Sequence, residues 1–409
     1  MKELAENWVK KGWVAPWKAR FGCLPESQDG NSEDGEKAPD FFGVPSRQNN
    51  NGGDDVYIGV GGMHLLPRKI LESSKTIVHK GTRVSGVASR TIESSDDDAT
   101  DNKKHVWDLT TTVGAAAFHD TKESVATTEL EKAKIEVNDA AAVPTSTTTT
   151  RIVVHRGFDA VVFTDISSSS DSWHRASAGI PPSFAAKLPP KLRLPLFSCM
   201  IALKTPLRDK LPYDAFVVAP DKSSPLWFAA ASDSKPGFSN GDATVAECWT
   251  LISTSSFTVD EIRETTMRDP VTGAFRPQEN DYLNSIPGPA LRKAFFDLVQ
   301  PYLGDDDLPQ TVYLQAQRWG SGLPIDPDMV APDHVHEICG TKYAAMVKGS
   351  LVYSPPQPSS LRQNFVADDT IGLYYAGDFC SHLNPGFEAA ALSGLDVAKH
   401  IFRQKEVTD

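Results

Sequence analysis

The strongest constraint on the fold is a strand–turn–helix pattern near the C-terminus. Residues 371–376 read IGLYYA, an uninterrupted apolar run that predicts a buried strand, and Gly377-Asp378 ends this strand. Asn384-Pro385 then predicts a helix start, because asparagine caps helices well and proline fits the first turn. We expect the helix to run to about Phe402. Its predicted inward stripe consists of Phe387, Ala391, Leu395 and Ala398.

Small residues fill the first turns of this helix, among them Gly386, Ala389 and Gly394. A glycine inside a helix costs about 1 kcal/mol relative to alanine, and close approach of a large group would explain that cost. Asp378, at the carboxyl end of a strand, could accept hydrogen bonds from sugar-like hydroxyls, and the helix N-terminus could stabilise negative charge. The alternative is an ordinary strand–loop–helix with a turn aspartate, and the spacing alone does not decide between the two.

The middle of the chain is predicted to consist mainly of strands. Val84–Ile92 and His105–Val113 alternate apolar and polar residues, as a half-buried antiparallel pair does. The run Ala160–Phe163 is continuously apolar, which suits a strand buried on both faces of an α/β sheet. Further short strands without many helices between them predict a separate, mostly antiparallel layer. These strands are expected at 197–203, 215–219, 226–230 and 247–253, with helices at 259–268 and 289–302.

Three polar segments interrupt the pattern. Residues 24–55, 94–102 and 114–150 are rich in Gly, Asn, Asp or Thr and hold too few apolar residues for a core. We therefore predict solvated insertions there. The 409-residue length corresponds to two or three domains at about 150 residues each.

Composition excludes several classes of function. The net charge of −12 repels phosphate backbones and anionic membrane surfaces, so we expect no nucleic-acid or membrane partner. Five dispersed cysteines without a C-x-x-C pair argue against a disulfide framework and fit a reducing compartment. The polar N-terminus is not a signal peptide, and no run is apolar enough to span a membrane. We expect an intracellular protein, cytoplasmic by default, with an organelle left open if the true start lies upstream.

The C-terminal string GLYYAGDFCSHLNPGFEAAALSGLDVAKHI resembles the FAD-binding segment of flavin amine oxidases, and most closely their renalase-like branch. Further resemblances follow in the order that this family has them. They are WVAPW (13–17), YIGVGGMHLL (57–66), FDAVVFTD (158–165), WFAAASDSKPGF (227–238), CWTLISTSSFTVDEI (248–262) and AQRWGSGLP (316–324).

One family feature is missing. Such flavoproteins begin with a strand, a G-x-G-x-x-G turn and a helix, and the one candidate here, Gly59–His64, has histidine where the third glycine belongs. We interpret this candidate as a coincidental match. The resemblance therefore implies an α/β FAD/NAD(P)-binding domain of the amine-oxidase type without its first βαβ unit, beside an α+β substrate domain with an antiparallel sheet. The expected FAD-binding domain is 56–180 with 363–409, the substrate domain is 1–23 with 181–362, and 24–55 is a disordered insertion.

The resemblance implies an FAD-dependent oxidoreductase. Hydride would pass from a small-molecule substrate, either a dihydronicotinamide isomer or an amine, to the flavin, which O₂ would reoxidise. Cofactor-binding residues carried over from the family are Val84 beside adenine, Gly377 and Asp378 at the ribityl or ribose hydroxyls, and the helix start of Asn384, Gly386, Phe387, Glu388 and Ala389.

The implied substrate pocket has a tryptophan as its main feature. Trp319, with Arg318 beside it, matches a residue that the family places near the flavin ring, where it could stack on a flat substrate. Relatives often have a histidine at the position of Ile252, so a histidine-assisted role is in doubt.

Two other classes of function stay open. A non-catalytic remnant of the flavoprotein fold could serve as a binding or scaffold protein, which the missing glycine turn favours, and a related flavin desaturase or amine oxidase is a third candidate. The string DHVHEIC (333–339) places alternating histidines on one face of a strand, as zinc requires, but it lies among prolines and we predict no metal site.

Overall fold

The computed structural model describes residues 2–24, 56–93, 103–113, 151–165, 181–189, 192–218, 224–238, 244–264, 279–304, 306–325, 363–381, 383 and 386–408. The strands are β1 (Val14–Pro16), β2 (Phe21–Leu24), β3 (Tyr57–Gly59), β4 (Thr82–Glu93), β5 (Lys103–Val113), β6 (Arg151–Phe158), β7 (Val161–Phe163), β8 (Leu192–Leu203), β9 (Ala215–Val218), β10 (Leu226–Ala231), β11 (Glu247–Ser253), β12 (Thr311–Ile325), β13 (Phe365–Asp368) and β14 (Leu373–Ala376). The helices are α1 (Lys2–Lys10), α2 (Leu65–Glu72), α3 (Pro182–Ala185), α4 (Ser255–Glu264), α5 (Asn280–Ser285), α6 (Pro287–Val299) and α7 (Phe387–Thr408). None of the helices within these ranges is long and apolar enough to cross a membrane.

The chain is mixed α/β and divides into two compact units. The first contains residues 1–77, 191–266 and 278–355, and the second contains 78–190, 267–277 and 356–409. Among the described residues, the sequence-based boundaries differ from this division in two ranges. Residues 56–77 belong to the first unit, where β3 pairs with β1, and residues 181–190 belong to the second, where the ring of Phe184 stacks on Tyr375 at 4.9 Å. Except for Leu24, the three predicted insertions lie outside the described residues.

A six-stranded sheet forms the centre of the first unit. Its order is β12-β8-β11-β10-β9-β2, and every neighbouring pair is antiparallel except β2 and β9. The prediction of a mostly antiparallel layer agrees with this arrangement. Burial alternates strictly along β11, as the two-residue period of a strand requires.

Helix α6 covers one face of this sheet. Leu291, Phe295 and Val299 of the helix are fully buried, and the ring of Phe295 lies 5.0 Å from that of Trp249 on β11. Each such side chain contributes roughly 1.5–3 kcal/mol by leaving water. The strand residues that face this helix include Phe197, Cys199, Ile201 and Leu203 of β8.

The N-terminal segment covers part of the opposite face. Trp17 and Phe21 are buried against Ala215 and Val217 of β9 and Trp227 of β10. The two rings of the N-terminal segment meet edge to face, with their centroids 5.0 Å apart. The N-terminal segment thus covers β9 and β10. Trp319 lies in β12, at the other edge of the sheet, and its side chain is 49% exposed.

An ion pair between Arg20, which is exposed, and Asp214, which is buried, ties the N-terminal segment to the start of β9. The Arg20 guanidinium donates to both carboxylate oxygens of Asp214 at 2.8 and 3.1 Å, and the Arg20 backbone N–H donates to the same group at 2.8 Å. Burial alone would raise the pKa of Asp214, but the hydrogen bonds and the charge of Arg20 outweigh burial, so the pKa is lowered. The segment is therefore held by a carboxylate that must stay ionised.

The second unit contains two three-stranded sheets. In one, β4, β5 and β6 form an antiparallel meander, which confirms the predicted pairing of Val84–Ile92 with His105–Val113. In the other, β14 lies between β13 and β7. The indole of Trp107 in β5 donates to the carbonyl of Ile371 at 2.6 Å, and this bond joins the meander to the turn before β14.

Strand β7 differs from its prediction. It runs parallel to β14, as an α/β sheet requires, but it spans only Val161–Phe163 and Val162 is 38% exposed. The prediction of burial on both faces is therefore wrong. Among the described residues no strand pairs with the outer edge of β7, and an edge strand is less covered than a central one.

Asp214→Asn should lower the free energy of unfolding by about 1–3 kcal/mol near pH 7, because the hydrogen bonds from the Arg20 guanidinium and backbone N–H lose their charged acceptor. A carboxyl whose pKa is lowered by folding stabilises the protein above its unfolded pKa of about 3.9, and this stabilisation is lost as the pH falls through the folded value. The difference between the two proteins should therefore shrink in acid. Urea denaturation at several pH values measures this difference.

Asp297→Asn is the matched control, because Asp297 forms an exposed ion pair with Lys293 one helical turn away. Such pairs contribute about 0.5 kcal/mol or less. Equal losses in the two variants would contradict the structural role assigned to Asp214.

Candidate functional site

The end of β14 is tied to the middle of α7 by a serine hydroxyl. The backbone N–H of Gly377 donates to Oγ of Ser393 at 2.9 Å, and that hydroxyl in turn donates to the carbonyl of Asn364. Ser393 is completely buried. The strand end and the helix therefore hold a fixed geometry within the second unit.

Asp378 lies half-buried in the tight turn that follows the strand. The N–H of Cys380 donates to the carbonyl of Gly377 at 3.1 Å, and the N–H of Ser381 donates to that of Asp378 at 3.2 Å. Phe379 and Cys380 are buried beside this turn. The turn thus fixes the backbone that carries the candidate carboxylate.

Gly377 has a conformation and surroundings that exclude a side chain. Its φ is +154°, and a Cβ atom there would lie 2.5 Å from Cε1 of Phe379. The predicted involvement of this glycine thus has a packing reason in the described chain: the Phe379 ring occupies the space.

Helix α7 starts later than predicted. The helix begins at Phe387, and the N–H of Ala390 donates to the carbonyl of Gly386 at 3.1 Å, so Gly386 occupies the capping position. The φ of +142° at Gly386 keeps that residue out of the helix. The predicted start at Asn384-Pro385 is therefore wrong, and these two residues lie outside the described part of the chain.

The remaining candidate residues, in the first turn of α7, differ in how exposed they are. Glu388 is exposed and Phe387 is half-buried, whereas Ala389 is completely shielded by the chain itself. A side chain as small as that of Ala389 lets the helix approach the sheet closely. A ligand at this helix start would meet Gly386, Phe387 and Glu388 before it met Ala389.

The inward stripe of α7 is also not the predicted one. The buried positions are Ala389, Ser393 and Val397, at four-residue spacing, and Val397 packs with Phe365 and Tyr374. The predicted stripe is half-buried and lies on the opposite side of the helix. It consists of Phe387, Ala391, Leu395 and Ala398, and Phe402, 70% exposed, continues it.

Val84 lies apart from these residues in the strand order. It is in β4, 36% exposed, where the pairing with β5 shifts between Val84 and Gly86. A β-bulge of this kind redirects a side chain. The meander therefore presents Val84, and the β14–α7 connection presents the other cofactor-binding candidates.

In the first unit, the structure separates the two predicted pocket residues. Trp319 and Arg318 are neighbours in β12, so their side chains leave opposite faces of the sheet. Arg318 pairs in register with Phe197, whose side chain packs toward the helices. Trp319 is 49% exposed, and its indole N–H already donates to Oγ of Ser198 at 2.9 Å.

A row of uncharged side chains shares the face of Trp319. One row across four neighbouring strands consists of Gln317, Ser198, Ile252 and Phe228, because each of these residues lies directly opposite the next. Sequence reasoning missed Ser198, because a serine between two apolar strand residues carries no signal of its own. Alternation along β8 would have placed it on the same face as Leu196 and Met200.

The glycines of the G-x-G-G segment serve the packing of the first unit. The N–H groups of Val60, Gly61 and Gly62 donate to the carbonyls of Trp13, Pro236 and Gly59, at 3.0, 2.9 and 2.9 Å. The N–H of Gly59 points to Sδ of Met63 at 3.1 Å. These four N–H groups are already bonded within the first unit, so they are not available to a phosphate.

Three of the sequence motifs meet at this loop. The indole N–H of Trp17 donates to Oγ of Ser234 at 3.0 Å, and the ammonium of Lys235 lies 5.5 Å from the centre of the Trp17 ring. Burial lowers the pKa of Lys235, although the charge of Asp233 opposes this shift. Segments 13–17, 57–66 and 227–238 therefore form one packed corner.

Within the described ranges, no three His, Cys, Asp or Glu side chains are grouped closely enough to hold an ion. The DHVHEIC string lies outside those ranges.

No protein-family model matches the chain, and the search of curated proteins finds no relative. One similar solved structure is a provisionally assigned protoporphyrinogen oxidase from Exiguobacterium sp. 255-15, with 12% identity and a TM-score of 0.35 over 83% of this chain and 51% of that one. Another is reduced UDP-galactopyranose mutase, with 14% identity and a TM-score of 0.26 over 43% of this chain and 31% of that one. The chain thus spans about half of the first protein and a third of the second, and TM-scores this low do not establish a shared fold.

Gly377→Ala should destabilise the second unit by about 1–3 kcal/mol, because the new methyl group meets the Phe379 ring and the backbone conformation disfavours a side chain. Gly394→Ala is the matched control, and it should raise the stability of the protein instead of lowering it. A Cβ atom at position 394 meets nothing within 4 Å, so the helix should gain up to about 1 kcal/mol. Thermal unfolding followed by circular dichroism compares the two variants. A Gly377→Ala protein as stable as wild type would refute the packing reason given for this glycine.

Proposed function

We propose that the protein is an FAD-dependent oxidoreductase in which the second unit binds the flavin cofactor and the first unit binds a small-molecule substrate. The observation that carries the proposal is the connection from β14 to α7. It holds a half-buried carboxylate at a strand end and a glycine-capped helix start in one fixed arrangement. The resemblance of this string to the FAD-binding segment of flavin amine oxidases supports the same function.

The residues present fit such a cofactor. Asp378 supplies a carboxylate for sugar or ribityl hydroxyls, and the start of a 22-residue helix supplies N–H donors and the positive end of its dipole. Added Cβ atoms at Gly386 and Gly394 would meet nothing within 4 Å, so the described chain gives no packing reason for either glycine. The positive φ of Gly386 already favours glycine there, so Gly394 is the position at which space for a large group beside the helix would account for the missing side chain.

The bound flavin would supply the chemistry by accepting hydride from a substrate C–H and passing the electrons to O₂. The protein would supply binding and orientation. Asp378 would hold hydroxyls of the cofactor, the helix start at Gly386 and Phe387 would stabilise negative charge, and Trp319 would stack on the substrate. A dihydronicotinamide isomer or an amine is the proposed substrate, and Val84 is the proposed neighbour of adenine.

We propose further that one more βαβ unit extends the parallel part of the β13-β14-β7 sheet beyond β7. Two observations in the second unit support this addition. The outer edge of β7 is unpaired among the described strands, and parallel strands are normally found within sheets covered on both faces. In addition, α7 carries a second apolar stripe that ends at the exposed Phe402. A strand followed by a helix would pair with the edge and cover the stripe.

The alternative function is a non-catalytic binding or scaffold protein that retains the flavoprotein shape. The use of the Gly59–Gly62 N–H groups inside the first unit favours this alternative, because dinucleotide pyrophosphates normally need such donors. Flavin binding separates the two functions.

Titration of the purified chain with FAD, followed by quenching of flavin fluorescence, should show saturable binding. Asp378→Ala should weaken that binding about ten- to a hundredfold, because a hydrogen bond to a charged group contributes about 1.5–3 kcal/mol. Asp369→Asn, in the turn at the other end of β14, is the control and should bind FAD as wild type does. Trp319→Ala should retain FAD binding but slow flavin reduction by substrate about three- to tenfold, the effect of one lost stacking contact. Full binding and normal reduction in both site variants would disprove the assignment.

A chain extended at its N-terminus with the upstream genomic sequence tests the additional βαβ unit. If that sequence contains a strand and a G-x-G-x-x-G turn, FAD affinity should rise at least a hundredfold, because charge-assisted contacts to the pyrophosphate are the strong ones. Replacement of the new glycines by alanine should abolish the gain. An extended chain that binds FAD no better than the present one would favour the non-catalytic function.

A further inference from the structure

The face of the six-stranded sheet that points away from α6, called the open face, contains at its β12 edge a tryptophan held by a hydrogen bond. Trp319 is in β12, the last strand in the sheet order, and its side chain is 49% exposed. Its indole N–H donates to Oγ of Ser198 in the neighbouring strand β8 at 2.9 Å. A half-exposed tryptophan has several rotamers available, and this bond selects one of them.

The register of the two strands explains how the bond forms. Trp319 lies opposite Leu196, and Ser198 lies opposite Gln317, so the indole reaches its acceptor along the diagonal. Diagonal neighbours on one face are within reach of aromatic side chains. Ser198 is therefore placed by the ladder and not by a flexible loop.

The surroundings of Ser198 contain no charged residue on the same face of the three adjoining strands. Ile252 lies on its other side, and the next row consists of Gln315, Met200 and Thr250. Met200 is 49% exposed and Gln315 accepts a hydrogen bond from Tyr313. The indole N–H thus has an uncharged partner, and no ionic group on these strands competes for it.

We propose that Ser198 is a positioning residue, which holds the Trp319 indole in one orientation on the open face of the sheet. The indole then presents its ring to a flat ligand, and the hydroxyl keeps its own proton for a second hydrogen bond. The ligand in question is the substrate of the proposed oxidoreductase, so this part of the inference rests on the proposed function. The orientation of the indole can be measured without it.

The test uses protein labelled with ¹⁵N-tryptophan, in which Trp319→Phe identifies the indole N–H resonance of Trp319. In Ser198→Ala this resonance should move upfield, and its proton should exchange with solvent about fivefold faster, because the acceptor is gone. Ser198→Thr keeps the hydroxyl and should restore the wild-type position. Ser285→Ala, in α5, is the control for a serine-to-alanine change and should leave the resonance unmoved. An unmoved Trp319 resonance in Ser198→Ala would overturn the proposal.

The second readout uses the flavin-loaded protein and a reducing substrate. Ser198→Ala should raise KM or slow flavin reduction about threefold, and it should add nothing in the Trp319→Phe background, because it acts through Trp319. If the resonance moves but reduction is unchanged, Ser198 does not position Trp319 for the ligand and the proposal is wrong. If the protein takes up no flavin, the proposed function fails, and the resonance of Trp319 alone then decides whether Ser198 holds the indole.

Discussion

The candidate cofactor site depends on one buried hydroxyl. Ser393 accepts the N–H of Gly377 and donates to the carbonyl of Asn364, so a single side chain of α7 is bonded to the end of β14 and to the residue that precedes β13. The side-chain amide of Asn364 donates to Asp396 of the same helix at 2.8 Å. Serine is not a strong helix former, and its place inside a helix is explained by the two backbone groups that it satisfies. Because of this connection, the turn that holds Asp378 cannot move independently of the helix.

The strand register determines which side chains lie on the open face of the first unit, and packing on the opposite face fixes that register. A slip of one residue in β8 would bring Ser198 and Met200 under α6 and expose Phe197 and Cys199. Glu247 at the start of β11 strengthens this register. It is buried, and its carboxylate accepts the N–H groups of Leu207 and Arg208 and the indole N–H of Trp249. Burial raises the pKa of Glu247, although these donors oppose the shift. Packing on one face therefore determines which polar side chains the other face presents.

The sequence predicted strand positions best where apolar and polar residues alternate regularly. Two-residue alternation located β4 and β5 to within about two residues of their ends, although among the described side chains of β4 only that of Val87 is buried. The β7 prediction of full burial failed, because an apolar run does not tell how many strands pair with it. The start of α7 was misplaced for a local reason. Asn384-Pro385 is a strong start signal in sequence, but Gly386 has a positive φ that no helical residue adopts, so the helix begins at Phe387.

The candidate site was only partly predictable for a related reason. The backbone features of the site lie close together in sequence, so Gly377, Asp378 and Gly386 could be selected from one short segment. The contacts of Ser198 and Ser393 depend on register and helix rotation, which no single segment determines. The stripe of α7 illustrates this limit. The helix has apolar residues on two sides, and only the position of β13 and β14 shows that Ala389 and Val397 face the sheet.

The glycine segment of the first unit bears most directly on the choice between the two functions. Gly61 and Gly62 have positive φ values of 76° and 121°, which a phosphate loop also uses, but here these values let the backbone approach Gly237 and Pro236. The conformation of the segment is therefore explained by packing, and the N–H groups of Gly59 to Gly62 are bonded within the first unit. If FAD binds, we expect most of its pyrophosphate donors to come from another part of the protein. The C-terminal helix start can hold only one end of such a cofactor, so tight binding and catalysis both require a second set of N–H groups. A binding or scaffold protein requires none.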